Sequence, residues 1–506
     1  MEMASLKRLI FRNTLFNSFS FIWSILLNIL LLPFMIEHIG IVGFGVYVLV
    51  ISITGYFALL DLGIGVSLVK LIAEHNAKKQ FEKMNEIIST AFFTYAIIGL
   101  IVAAGLFSIA TLFLGVFNMP QEFYSQAQTI LYIVGITSIF SFPLLALNGV
   151  LSGLQRYDLT ALIGFITATL SAIVTVAVLL AGFGIVELVL FISITQMLCS
   201  LLNLFLAKKL FPSLRISPAL VSKKPLKTIF SFSLLMFLLS LTGMITFETD
   251  RIVIGIFLTV GLITFYEVNL KLNLITRRVF HMLRAAIIPT ASDLNAKGDF
   301  KGIQRLYLDS SKYLNFLFFP FVLILMVLAK PIIAYWVGAE FAEYYLVAEI
   351  LLTAWFFVSD MSDPILTGIG KIHFMLFFAL LHSISNLILS IWLVGPFGLI
   401  GVALGTALPA VVFGPTIFLP YVLKTLKISF REFFREIYVR QIIFSGLMAT
   451  ILLLAVQIHY PQNIIETGIY GAAAFAFYFW VILSVGLRKD EREFILSLLA
   501  FKQAKI

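Results

Sequence analysis

Apolar runs of about 20 residues, bounded by charge or by Gly and Pro, recur along almost the whole chain. That is the length a helix needs to cross a bilayer at a rise of about 1.5 Å per residue. The pattern predicts fourteen spans, at 13 to 36, 44 to 69, 87 to 117, 129 to 152, 159 to 181, 185 to 207, 228 to 256, 262 to 288, 310 to 331, 346 to 369, 372 to 394, 399 to 423, 440 to 458 and 467 to 487. The eighth is unlike the others. Between Thr264 and Pro289 it carries Glu267, Lys271, Arg277, Arg278, His281 and Arg284. Wound at roughly 100° per residue, the six fall in an arc of about 140°, with Val268, Leu272, Ile275, Val279, Met282 and Leu283 on the other side. A Lys or Arg at the bilayer centre costs roughly 2.5–3.5 kcal/mol, so several facing lipid would cost on the order of 10 kcal/mol. We therefore expect this face to look onto protein or water, lining a central, water-filled, anion-attracting cavity that the rest of the chain builds.

Charge in the loops orients the spans. Of the 35 Lys and Arg, 28 fall in alternate segments beginning with the N-terminal one, and none lies in the middle of an intervening loop. Basic loops are retained on the cytoplasmic side, which predicts both termini inside. The first apolar run, preceded by Lys7, Arg8 and Arg12, reads as the first span rather than a signal peptide, because it is too long and no small-residue cleavage site follows. With 61% apolar and 12% charged residues the chain is expected to be a polytopic membrane protein, and its net charge of +9 reflects these loops rather than nucleic-acid binding. The single cysteine, Cys199, and six scattered histidines give no disulfide and no metal-ligand spacing.

The chain also repeats. Asn76-Ala77-Lys78-Lys79-Gln80-Phe81 recurs as Asn295-Ala296-Lys297-Gly298-Asp299-Phe300, 219 residues on, and Tyr47 and Tyr266 share that offset. Gly153-Leu154-Gln155-Arg156-Tyr157 matches Gly368-Ile369-Gly370-Lys371-Ile372, and Phe183-Gly184-Ile185 matches Phe397-Gly398-Leu399. A unit of six spans inserts both copies in the same orientation, the parallel-repeat plan. The expected organisation is an N-lobe at 1–207 (spans 1–6), a basic, Pro-containing cytoplasmic linker at 208–227 and a C-lobe at 228–425 (spans 7–12). Residues 426–506 add spans 13 and 14 and a cytoplasmic tail. Subtracting 219 from the four cationic positions of span 8 gives Ser52, Ala58, Leu59 and Gly65, so the first lobe lacks the cations.

Together with the fourteen-span layout, Phe44-Gly45-Val46-Tyr47, Asp61-Leu62-Gly63-Ile64-Gly65, Gly153-Leu154-Gln155-Arg156-Tyr157 and Phe397-Gly398-Leu399-Ile400-Gly401 resemble one family. It is the polysaccharide transporter (O-antigen flippase) branch of the multidrug/oligosaccharidyl-lipid/polysaccharide exporter superfamily. The resemblance implies an all-α membrane protein of two pseudo-symmetric six-helix lobes, V-shaped around a central cavity and alternating between inward-open and outward-open states. It implies a prenyl-diphosphate-linked oligosaccharide as substrate, moved from the cytoplasmic to the outer leaflet of the cytoplasmic (inner) membrane. Polysaccharide polymerase and assembly proteins are then candidate partners. No covalent chemistry and no cofactor are expected, with coupling to a proton or sodium gradient left open.

The diphosphate head cannot cross hydrocarbon unaided, and the planar fork of Arg and the mobile charge of Lys suit phosphate oxygens. Lys271, Arg277, Arg278 and Arg284, with His281, are thus the candidate head-group residues, Arg284 also being suited to snorkel as an inside-end anchor. Asp61 and Asp360 are candidates for ion coupling or for pairing with a cation, and Asp360, Asp363 and Pro364 also read as a helix-breaking turn. A cation-coupled multidrug exporter on the same scaffold would want acids where span 8 has Arg and Lys. A glycan polymerase would want an exposed loop with catalytic carboxylates or His, which the loop near 332–345 lacks. A lipid II flippase is a nearer rival, differing in the head group accepted. No Walker loop is present, so ATP drive within the chain is not expected.

Overall fold

The computed structural model describes residues 3–284, 287–488 and 491–492, with side chains described outside 3–18, 223–236 and 282–283. The expected tail at 493–506 lies outside the described residues. Every regular element among them is helical: α1 (Met3–Phe57), α2 (Ile64–Ala77), α3 (Phe81–Ser108), α4 (Gln121–Gly153), α5 (Tyr157–Leu180), α6 (Ile185–Leu210), α7 (Lys223–Phe257), α8 (Val260–Arg284), α9 (Ile287–Ala296), α10 (Phe300–Val327), α11 (Ala329–Trp336), α12 (Tyr345–Thr353), α13 (Trp355–Val358), α14 (Ser362–Gly368), α15 (Ile372–Phe413), α16 (Leu419–Leu426), α17 (Phe430–Phe433), α18 (Arg440–Ile458) and α19 (Ile464–Val481). Ten helical segments among the described residues are long and apolar enough to cross a membrane. Ile372–Leu426 holds two of the predicted spans, and Phe19–Asp61 overlaps two more. The chain divides into two compact units, Met1–Thr264 and Phe265–Ile506.

In the first unit, glycine sets how closely helices approach. A Cβ on Gly45 would stand 2.2 Å from the Val260 carbonyl oxygen, so only glycine lets the start of α8 lie against α1, where the Thr264 hydroxyl donates to the Ile41 carbonyl at 2.6 Å. Small residues bring backbones together in membranes, where packing rather than water drives helix association. Beyond Leu210 the chain returns along the start of α3. The Asn85 amide donates to the Ser213 carbonyl at 2.8 Å and accepts from the Arg215 amide at 2.9 Å, while Ser89 bonds Arg215 and Ser217. Three polar side chains of α3, Asn85, Ser89 and Thr90, thereby satisfy a stretch of irregular linker backbone.

The repeated loops have the same local structure. Lys79 and its counterpart Gly298 both adopt left-handed backbone, at φ 53° and 69°. Lys79 N–H bonds Asn76 O at 3.0 Å and Gln80 N–H bonds His75 O at 2.9 Å, and the equivalents Gly298 to Asn295 and Asp299 to Leu294 are 3.1 and 3.0 Å. Even the flanking ion pairs match, Lys78 with Glu74 at 2.5 Å and Lys297 with Asp293 at 2.6 Å. These are helix C-caps of the kind that need a left-handed residue.

Span 2 departs from the continuous helix read in the sequence. Between α1 and α2 the chain tightens over Ala58–Asp61 and turns through Leu62 and Gly63, both left-handed at φ 48° and 73°. Span 10 is broken at residues 359–361, beside Asp360, Asp363 and Pro364, which read as a helix-breaking turn.

In the second unit, α15 doubles back at Gly398 (φ 57°), and Cβ atoms on Gly401 and Gly405 would stand 2.0 Å from Leu393 O and 2.3 Å from Ser390 Oγ. The added helices α18 and α19, with Ile482 just beyond α19, bury Met448, Leu452, Tyr478 and Ile482 against Phe316 and Ile324 of α10. An ion cluster ties their ends: Glu491 bonds Arg440 at 2.7 Å, Lys312 at 2.9 Å and the Arg488 amide at 3.0 Å. Burial alone would raise the Glu491 carboxyl, but these hydrogen bonds outweigh it and hold the pKa down at about 2.

Two predictions follow from this packing. Gly405→Ala should destabilise by about 1–3 kcal/mol through overpacking, whereas Gly446→Ala, where a Cβ meets nothing within 4 Å, should be neutral or stabilising, as read by thermal unfolding in detergent. Glu491→Gln should cost roughly 1.5–3 kcal/mol near neutral pH. Because the folded carboxyl sits below its ordinary value of 4.5, that difference should persist above pH 4.5 and shrink as pH falls toward about 2.

Candidate functional site

Helix α8 has three faces rather than two. Asn269, Asn273, Thr276 and Phe280, spaced at three to four residues, are all buried. Within the second unit, Asn269 and Asn273 donate to the carbonyls of Phe341 at 3.2 Å and Leu351 at 2.9 Å, and Phe280 packs on Phe318 and Trp355. This face fixes the rotation of the helix. The ionisable arc lies beside it, so its direction is set by buried amides that hydropathy alone does not distinguish from misplaced polar residues.

Along that arc the six residues differ in setting. Lys271 Nζ pairs with the buried Glu267 carboxylate at 2.7 Å, one turn away on the same helix. Arg277 and Arg278 are half-buried, and His281 is exposed beside the Phe280 ring. Arg284 is buried, its guanidinium 4.4 Å from the centre of the Phe280 ring and 3.1 Å from Asp363 Oδ2. An aromatic face and a carboxylate together form an anchoring environment for a guanidinium.

The two candidate acids sit at the two helix breaks. In the first unit, Asp61 accepts from the Tyr95 hydroxyl and from the Gly65 amide at 3.3 Å, capping α2 after the left-handed turn. In the second, Asp360 is buried and accepts from the Ser362 amide at 2.9 Å and the Tyr307 hydroxyl at 3.1 Å. Each carboxylate thus has a tyrosine and a freed backbone N–H as partners, the expected treatment of an acid at an unwound turn in a membrane protein.

The family model described as a polysaccharide biosynthesis protein matches residues 40–346. The chain belongs to the polysaccharide biosynthesis protein family. That match runs through the whole of α8. Membrane protein EpsK of Bacillus subtilis (strain 168), itself uncharacterised, is 21% identical to this family member over 95% of this chain and 96% of its own. A putative O-antigen transporter of Shigella flexneri is 23% identical over 78% of this chain and 93% of its own. Among solved structures, the lipid II flippase MurJ in an inward closed conformation matches with a TM-score of 0.72 at 17% identity, covering 93% of this chain and 99% of that one. At that identity MurJ establishes the fold, that of an all-helical multi-pass membrane protein.

The pairing of Arg284 with Asp363 predicts that the two act on stability together. In a cycle of Arg284→Met, Asp363→Asn and the double substitution, read by thermal unfolding, the coupling should be about 1–2 kcal/mol, moderated because Asp363 is half-exposed.

Proposed function

We propose that this member of the polysaccharide biosynthesis family is a flippase. It carries a prenyl-diphosphate-linked oligosaccharide from the cytoplasmic to the outer leaflet of the cytoplasmic membrane by alternating access. The observation that carries the reading is the cationic arc of α8, in particular Arg277 and Arg278. Two guanidinium groups on adjacent residues of a spanning helix are costly in lipid and suited to a diphosphate, whose oxygens accept paired N–H donors. Lys271, His281 and Arg284 extend the arc along the route of the head group. The prenyl tail stays in lipid, so only the anionic, hydrated head has to be sheltered.

In this reading the lobes of the repeat, 1–207 and 228–425, are the bodies that alternate, and residues 208–227 join them. Asp61 and Asp360, already bonded to tyrosines, are the acids placed to hold a coupling ion or to neutralise a cation in one state.

The test is translocation in proteoliposomes of a fluorescent prenyl-diphosphate-linked oligosaccharide, with export of a cationic dye as control. Wild type should move the sugar lipid and not the dye. Arg277→Ala/Arg278→Ala should reduce the rate by about 100-fold or more, the scale of losing two charge-assisted hydrogen-bonding groups. Dye export without movement of the sugar lipid would refute the flippase reading in favour of a drug exporter.

A further inference from the structure

The first unit contains a cavity of about 860 Å³, within the size range of small-molecule sites. Faces of α1, α4 and α6 line it, together with Asp61 and Tyr95. Along α4 the lining runs from Ile130 to Ser152, about 33 Å at helical rise, so the space is elongated along the helix. No Lys or Arg lines it, and Asp61 is its one acid. That composition is wrong for a diphosphate: the lining is largely apolar, and apart from Asp61 its polar groups are uncharged amides and hydroxyls.

The state of those groups carries the inference. The amides of Asn148 and Gln196 and the hydroxyls of Ser141, Ser152 and Ser193 all open onto the cavity. Among the described residues these five side chains have no hydrogen-bond partner. Asn148 and Gln196 are exposed within the apolar helices α4 and α6, where an amide facing hydrocarbon would be costly, so their polar groups suit a hydrated or hydrogen-bonding space. Each primary amide offers two donors and a carbonyl acceptor, each hydroxyl both roles, and Asp61 accepts. A sugar ring presents the complementary set, with hydroxyls that donate and accept around its edge and apolar C–H faces. Tyr47, Phe57 and Phe142 supply aromatic surface for such faces.

We propose that this cavity is a glycan subsite: it holds the uncharged, polyhydroxylated part of the lipid-linked oligosaccharide. The proposal rests on the flippase reading and goes beyond it by separating recognition of the sugar from recognition of the phosphate. A long cavity fits several linked rings better than one compact ligand, and neutral hydrogen-bonding groups would accept varied sugars that share a common head.

The experiment uses the full-length protein with Cys199, its only and buried cysteine, replaced by Ser and a new thiol placed by Asn148→Cys. Modification by a charged thiosulfonate is timed in the presence of tetraprenyl diphosphate, bare or carrying a neutral, an N-acetylated or a uronic-acid tetrasaccharide. At least one glycan-bearing probe should slow modification several-fold, and the bare lipid should not. In parallel, Asn148→Leu/Gln196→Leu should weaken binding of that probe by about ten-fold or more, the worth of one or two hydrogen bonds, and leave the bare lipid unaffected. Equal protection by the bare lipid, no added affinity from any glycan, or equal weakening of both probes would overturn the glycan subsite while leaving the flippase reading standing. Wild-type protein that binds none of the lipids would overturn both.

Discussion

Hydrocarbon offers neither hydrogen bonds nor counter-charge, and most departures from plain apolar helix in this chain are places where a polar group has been given a partner. The buried amides of Asn269 and Asn273 reach backbone carbonyls, and so hold α8 in one rotation. Lys271 is matched by Glu267 and Arg284 by Asp363 and the Phe280 ring. Where helices break, Asp61 and Asp360 take up freed N–H groups and tyrosine hydroxyls. The orientation of the cationic arc is therefore a consequence of satisfying other groups, and it is this orientation that the proposed function uses.

The same constraint separates two polar environments by sign. The α8 arc carries three Arg and one Lys with one Glu, whereas the largely apolar cavity in the first unit has amides, hydroxyls and a single carboxylate as its polar groups. A substrate with an anionic head and a neutral, hydroxyl-rich glycan needs both kinds of environment. The repeat shows how one scaffold provides them: the positions corresponding to the α8 cations in the first copy are Ser52, Ala58, Leu59 and Gly65. Ala58 itself lines the neutral cavity, as does Gly65. Positions related by the repeat thus differ in charge.

Much of this was legible in the sequence for reasons that are physical. Asn76–Phe81 and Asn295–Phe300 stood out because a helix ending in a left-handed cap restricts its residues, and the two loops do form the same bonds. Gly153 and Gly368 matched because each sits where a Cβ would strike a neighbouring helix, at Ile72 and at Ala291. The arc of α8 was visible because charge in an apolar run is conspicuous. The break at Asp61 was not read, since Leu60 and Leu62 flank the acid and Leu62 is an uncommon occupant of left-handed backbone. The neutral cavity was also missed. Ser and Thr in membrane helices commonly bond their own carbonyls four residues back, as Thr54 and Ser138 do, so a polar stripe of this kind barely disturbs hydropathy. The signal available was Asn148 and Gln196, two amides in apolar runs with no neighbouring charge.

The cationic arc of α8 is proposed to make this chain a receptor for an anionic lipid head. Equilibrium binding of tetraprenyl diphosphate and of a lipophilic cation to the purified protein, each measured across a range of salt, tests it most directly. The diphosphate lipid should bind, added salt should weaken it, and the cation should not compete. Binding of the cation with no measurable affinity for the diphosphate would contradict it.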